Sequence, residues 1–287
     1  DLSSSVPYNP IISSDSEPGS IFNLFTMAIA LEEGVIHPES TFIDSGKVDM
    51  GGVTFMNSHQ ETYGEITMAE CLKLPSNICM IWMAVQIGEN NYYEYLEKIG
   101  FNQATNVDLE GEIYYPLTKP WKEGWYPSSL AANAIGLSTA FTPIQLVTAA
   151  SALTGQGNVI QPRILESIKD NSSEPVGAEE IAPQIFSKET IKALNEILIE
   201  MNVGETENEK AHDPQFVGVF GTGRVLGNNG SEIAYRDDVL NQTFLGWKSI
   251  DKSELIILIW LEQVPNENLN KNLHKLLTKE LIDELEN

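Results

Sequence analysis

The chain is short of basic side chains, of cysteine, of histidine and of long apolar runs. Its 287 residues carry 17 Lys and Arg against 41 Asp and Glu, a formal charge of −24. Nonspecific nucleic-acid binding needs clustered Lys and Arg to neutralise phosphates, so no nucleic-acid partner is expected. The same shortage disfavours an anionic membrane surface. Two cysteines are too few for a disulfide scaffold. His37, His59, His212 and His274 are scattered without metal-ligand spacing, so neither a metal nor another cofactor is expected. The longest apolar run, Leu255 to Leu261, has the length of a buried strand and not of a membrane helix. Asp1-Leu2-Ser3-Ser4-Ser5 is polar and lacks the basic start of a signal peptide. Such a chain is either cytosolic or an exported piece read without its leader and anchor, and composition does not choose.

What is present is enough for a substantial core. Hydrophobic residues make up 42% of the chain, with five Trp, nine Tyr and ten Phe, which excludes disorder. Ile21 to Leu31 reads as an apolar helix with Ser20 at its N-cap position. Asp44 to Phe55 has strand and turn character. Thr67-Met68-Ala69-Glu70 opens a helix like a capping box. Pro75 interrupts that helix, and Ile78 to Ile87 resumes it. Asn91 to Ile99 is a short helix, and residues 101–133 read as loop. Thr142-Pro143 opens a helix over Ile144 to Leu153, and Lys188 to Met201 is amphipathic. Residues 170–183 and 203–215 read as polar loops. Phe216 to Val225, Gln242 to Ser249 and Leu255 to Val264 read as three strands of an antiparallel meander, and Asn270 to Leu285 as a closing helix. Helices, then strands, then a helix indicate an α+β fold, an antiparallel sheet flanked by helices. We expect one domain over residues 1–287, helical over about 20–201, with the strands and closing helix over about 216–287.

Glu17 to Asn23, Ala30 to Ile36, Ser76-Asn77, Val107 to Glu112, Thr142 to Leu146, Gly221-Thr222 and Leu245 to Trp247, in that order along the chain, together resemble the transpeptidase domain of class B penicillin-binding proteins. Glu17-Pro18-Gly19-Ser20-Ile21-Phe22-Asn23 is similar to an EPGSxxK segment, and Ala30 to Ile36 to the end of the same helix. Ser76-Asn77 is similar to the last two residues of SxN, Val107 to Glu112 to a TGIDLPGE stretch, and Thr142 to Leu146 to TPLQL. Gly221-Thr222 is similar to the end of KTGT, and Leu245-Gly246-Trp247 to the strand that follows it. The resemblance implies a serine β-lactamase/DD-transpeptidase-like fold outside the cytoplasmic membrane, anchored through a segment not in this chain. It implies a peptidoglycan stem peptide, or a division or cell-wall protein, as partner. Two family strands that precede Pro7-Tyr8-Asn9-Pro10 have no counterpart, so a narrower sheet with an exposed edge is expected.

In that family a serine at a helix start is activated by a lysine one turn later, which lies on the same face. A KTG strand holds the substrate carboxylate and supplies one oxyanion N–H. Here Ser20 stands at the nucleophile position, but Asn23 stands at the base position, and a neutral amide is no base near neutral pH. SxN reads Pro75-Ser76-Asn77, and proline brings no hydroxyl. KTG reads Val219-Phe220-Gly221, followed by Thr222, without the cation. Losing a general base costs roughly 10²–10⁴ in rate. Losing a member of a cooperating constellation costs on the order of 10⁶. The favoured expectation is therefore a transpeptidase-like binding or scaffolding module without Ser–Lys chemistry. The alternative is a divergent serine acyl transferase or hydrolase that uses Ser20, with Arg224 as anion clamp in place of the missing lysine. A third reading has Phe220 filling the cleft.

Each residue also has a plainer explanation. Ser20 reads as an N-cap serine, Asn23 as a polar helix residue, and Ser76 and Asn77 as caps for the helix after Pro75. Gly221 allows close backbone packing, and Arg224 is a solvated arginine. Cys71 and Cys79, if on one helix, lie about 12 Å apart at 1.5 Å per residue, too far for a disulfide, so two buried thiols are expected.

Overall fold

The structure, a computed structural model, describes residues 8–165, 184–201, 216–228, 233–250 and 253–265, and isolated positions between 277 and 284. It is α+β, as the order of sequence patterns indicates. Helix α1 (Pro10–Ser13) begins under an Asn9 side-chain cap. A 3₁₀ turn over Gly19–Phe22 then runs into α2 (Asn23–Glu32). Nine of the ten α2 residues are buried, so this helix is apolar all round and forms the axis of the molecule. Strands β1 (Thr41–Asp44) and β4 (Gly64–Thr67) pair antiparallel, as do β2 (Lys47–Met50) and β3 (Val53–Met56).

Helices α3 (Met68–Lys73) and α4 (Asn77–Ile87) flank the break at Pro75. The expected capping box is formed: Thr67 Oγ1 accepts from Glu70 N at 3.2 Å, and Thr67 N donates to Glu70 Oε2 at 2.8 Å. Helix α5 (Glu89–Ile99) ends on Gly100 at φ +104°. The stretch 101–133 is not all loop. Helix α6 (Pro127–Ala134) begins within it, with Pro127 in the first turn, where a missing N–H costs nothing. Then come α7 (Pro143–Ala150), with its own Thr142–Gln145 capping box, and α8 (Lys188–Met201), which buries Ile191, Leu194, Ile197 and Leu198 along one face.

Strands β5 (Val217–Asn228), β6 (Ile233–Ile250) and β7 (Ser253–Pro265) form an antiparallel sheet in that order. Val219 pairs with Leu245, Gly221 with Thr243 and Leu245 with Leu258. Alternation along the strands divides the faces. Val217, Val219, Leu245 and Trp247 join the main core with the helices. Phe216, Phe220, Phe244 and Ile257 form a second apolar cluster on the opposite face. The expected loops at 170–183 and 203–215 lie outside the described residues. So does most of the expected closing helix, of which Leu277, Glu280, Leu281 and Glu284 are helical.

One expectation fails outright. Cys71 and Cys79 are joined as a disulfide, with Cα atoms 6.1 Å apart. The 12 Å estimate assumed one continuous helix. Pro75 ends α3, Ser76 N turns back onto Cys71 O at 2.9 Å, and α4 restarts in a new direction, which brings the two side chains together.

Candidate functional site

Four glycines build the centre of the site. Gly19 has φ +59°, a conformation that L side chains rarely adopt. A Cβ on Gly19 would lie 2.1 Å from the Thr222 carbonyl oxygen, and one on Gly136 would lie 2.3 Å from Gly19 O. On strand β5, a Cβ on Gly221 would lie 2.8 Å from Ile21 N, and one on Gly223 would lie 2.6 Å from Glu17 O. Gly19 N also donates to Gly136 O at 3.1 Å. The turn carrying Ser20 is thus held between β5 and the loop after α6 by backbone contacts that no side chain could enter. Ser20, Gly221 and Thr222, singled out from separate parts of the sequence, meet here.

Ser20 is not the helix cap that its sequence position suggests. It lies inside the 3₁₀ turn, Pro18 and Phe22 occupy the cap positions, and the Ser20 hydroxyl makes no hydrogen bond among the described residues. It is half-buried. One turn on, Asn23 is 1% exposed, and neither amide atom has a hydrogen-bond partner among the described residues. Val219, at the lysine position of the KTG-like strand, is 2% exposed in the main core. Both positions that the motif resemblance aligns with lysines are therefore buried and neutral.

The SxN-like residues are engaged elsewhere. Ser76 caps α4 by accepting from Cys79 N at 3.0 Å, and its hydroxyl donates to Asp44 Oδ2. Asp44 is itself buried and accepts from Gly46 N at 2.6 Å and from Asn57 Nδ2 at 2.8 Å. Asn77 Nδ2 donates to Met56 O at 2.9 Å. These bonds tie α4 to the β1–β3 region, which is the structural role that the sequence offered beside the functional one. Phe220 does not turn toward Ser20. Its ring lies 4.7 Å from that of Phe244 in the second cluster, because Phe220 and the inward-facing Val219 alternate across the strand.

Arg224 is exposed, but it is not simply solvated. Its guanidinium lies 3.7 Å from the centroid of the Tyr235 ring. Tyr235 donates its hydroxyl to Glu17 Oε1 at 2.6 Å, and Ser138 N donates to the same oxygen at 2.7 Å. Glu17 is 6% exposed, and its Oε2 has no partner among the described residues. Burial pushes the Glu17 carboxyl above the ordinary carboxylate range, opposed by the bonds from Tyr235 and Ser138 and by the Arg224 charge. Burial, and then the neighbouring Glu17, holds the Tyr235 phenol above its usual range. Sequence reasoning missed this cluster. Glu17 stood in the quoted Glu17-Pro18-Gly19-Ser20 segment, but nothing local marks Tyr235, 218 residues away, as its partner.

Comparison with known proteins agrees with this geometry. The family model of the penicillin-binding protein transpeptidase domain matches residues 4–283. The chain is similar to penicillin-binding protein PbpB of Mycolicibacterium smegmatis, at 28% identity over 88% of this chain and 40% of that protein. It is similar to stage V sporulation protein D of Bacillus subtilis, at 25% identity over 85% of this chain and 38% of that one. A crystal structure of penicillin-binding protein 3 from Mycobacterium tuberculosis, complexed with ampicillin, superposes with a TM-score of 0.80 at 25% identity, covering 96% of this chain and 63% of that one. The chain thus spans about two fifths of the length of the curated relatives it matches. With a matched family model over nearly its full length, and the Ser20 turn packed against the Gly221-Thr222 strand, the chain belongs to the penicillin-binding protein transpeptidase domain family.

Proposed function

We propose that this domain acts as a binding or scaffolding module of the cell envelope, in a cell-wall or division context, without Ser–Lys acyl transfer. The carrying observation is the pair Asn23 and Val219: both are buried, and neither can carry a charge. A serine hydroxyl is weakly nucleophilic without a base, and no base is hydrogen-bonded to the Ser20 hydroxyl among the described residues. With Val219 in place of a cation at that strand position, the charge-assisted bonds that a lysine there would give a substrate carboxylate, roughly 1.5–3 kcal/mol each, are missing. The Cys71–Cys79 disulfide supports a place outside the cytoplasm, where such bonds persist. A peptidoglycan stem peptide, or a division or cell-wall protein, is the partner class that fits this reading. The test is incubation with a fluorescent penicillin: the expected outcome is no covalent label at Ser20, and a Ser20→Ala-sensitive label would overturn the reading.

One observation favours a second reading, a divergent serine hydrolase or transferase. The Ser20 hydroxyl is uncommitted, and the glycine-lined contact with β5 is retained. A serine-reactive phosphonate probe separates the two, since an adduct lost in Ser20→Ala supports an enzyme.

A further inference from the structure

Glu17 lies just before the Ser20 turn, and its side chain fastens that turn to two other parts of the molecule. Ser138 N, in the loop after α6, and the Tyr235 hydroxyl, on β6, both donate to its Oε1. Its backbone carbonyl lies against β5, where a Cβ on Gly223 would approach it to 2.6 Å. The carboxyl is buried, and Oε2 is enclosed without a partner among the described residues. A neutral acid suits this arrangement: Oε1 is the carbonyl oxygen that takes two donors, and the proton rests on Oε2. A carboxylate suits it poorly, because part of its charge would lie on a buried oxygen that no donor reaches.

The β5–β6 ladder is interrupted beside this cluster. Arg224 pairs with Leu240 and Leu226 with Tyr235, which leaves Val225 opposite Arg236, Asp237, Asp238 and Val239. Such a bulge breaks the ladder locally and re-aims side chains. At its edge the exposed Arg224 rests on the Tyr235 ring, its guanidinium 3.7 Å from the centroid. Toward Glu17, β5 thus presents Arg224 and β6 presents Tyr235, while the loop after α6 presents the uncharged Ser138 N–H. Asp15 lies on the segment of Glu17 itself, half-buried. On the bulge, Asp237 and Asp238 are exposed, and Arg236 is held by Asp238 at 2.9 Å.

We propose that Glu17 is a protonation switch that fastens and releases the Ser20 turn. With Glu17 neutral, Tyr235 and Ser138 hold the turn to the β5–β6 hairpin and to the loop after α6. When Glu17 gives its proton to solvent, Arg224 leaves the Tyr235 ring and pairs with Oε2 in a charge-assisted bond. The bulge lets this end of the hairpin follow, so one local charge change biases a two-state element. Burial places the change above the ordinary carboxylate range, so the fastened form belongs to low pH and loosens as pH rises. The switch acts on the turn whether or not Ser20 reacts.

The test is a pH titration of the intact chain, from about pH 4 to about pH 8, followed by amide NMR and by the Glu17 carboxyl carbon. We expect the amides of Ser138 and of Gly19 to Phe22 to shift with one common midpoint, shared with the Glu17 carbon. Glu17→Gln is expected to abolish that titration and to hold these amides near their low-pH positions. Arg224→Gln removes the charge that favours the carboxylate and is expected to move the midpoint to higher pH. The proposal is overturned if the turn amides do not titrate with Glu17, or if their titration persists in Glu17→Gln. An unchanged midpoint in Arg224→Gln overturns it as well. If Glu17→Gln does not fold, the wild-type titration and Arg224→Gln decide, since Arg224 is exposed.

Discussion

Asn23 sits where the motif resemblance calls for a lysine, and its amide is buried with no partner at either atom among the described residues. An unsatisfied buried amide costs about 1–3 kcal/mol, so Asn23→Leu, of similar shape, is expected to raise the unfolding free energy, measured by urea denaturation, by an amount in that range. Asn23→Lys buries an uncompensated charge and is expected to lower stability by about 3–5 kcal/mol without producing penicillin labelling. Glu17 gives a pH signature. Its folded-state carboxyl titrates above its ordinary value, so its contribution to stability is fully present below that value and is lost as pH rises through the folded one. Glu17→Gln, which keeps the acceptor for Ser138 and Tyr235, is expected to flatten this fall, measured as urea midpoints from pH 4 to pH 7. The types of residue at the motif positions were legible in the sequence. Their burial, and the partnership of Glu17 with Tyr235, were not, because both depend on contacts distant in the chain.

The elements around the site are held by backbone approach and one covalent tie. Gly19→Ala combines a left-handed φ with a clash against Thr222 O, whereas Gly34 has a similar φ, +65°, and nothing within 4 Å. Thermal unfolding is expected to show a loss of about 1–2 kcal/mol for Gly34→Ala, the left-handed cost alone, and clearly more for Gly19→Ala. The Cys71–Cys79 bond joins α3 to α4 across the turn that carries Ser76 and Asn77. A cross-link spanning 8 residues is worth about 2–3 kcal/mol by chain entropy, and the Cys71→Ala/Cys79→Ala double variant is expected to lose that much in urea unfolding. The denatured, unreduced protein is expected to show no free thiol. Helix and strand positions were legible from periodicity and caps: the Thr67 box formed where its residues indicated, and α7 opens at Thr142-Pro143. The disulfide was not, because measuring along one helix axis ignores the change of direction at Pro75. Helix α6 escaped notice because the glycines and prolines of 111–127 obscured a short apolar run.

At the scale of the molecule, the sheet order is β5-β6-β7, β5 packs against the Ser20 turn, and the chain belongs to the penicillin-binding protein transpeptidase family. The order was readable because three β-rich segments follow one another with short connections, and the family because short motifs occur in register along the chain. Which face each strand residue takes was not readable beforehand. That face turns Val219 into the core and Phe220 away from Ser20. The −24 charge of the chain and the absence of a cation at both lysine positions act in the same direction, against a ligand that ends in a carboxylate. The most direct test of this account is the intact mass of the protein after incubation with a fluorescent penicillin, alongside Ser20→Ala. The account predicts an unmodified mass for both proteins. An adduct on the wild-type chain that Ser20→Ala abolishes would contradict it.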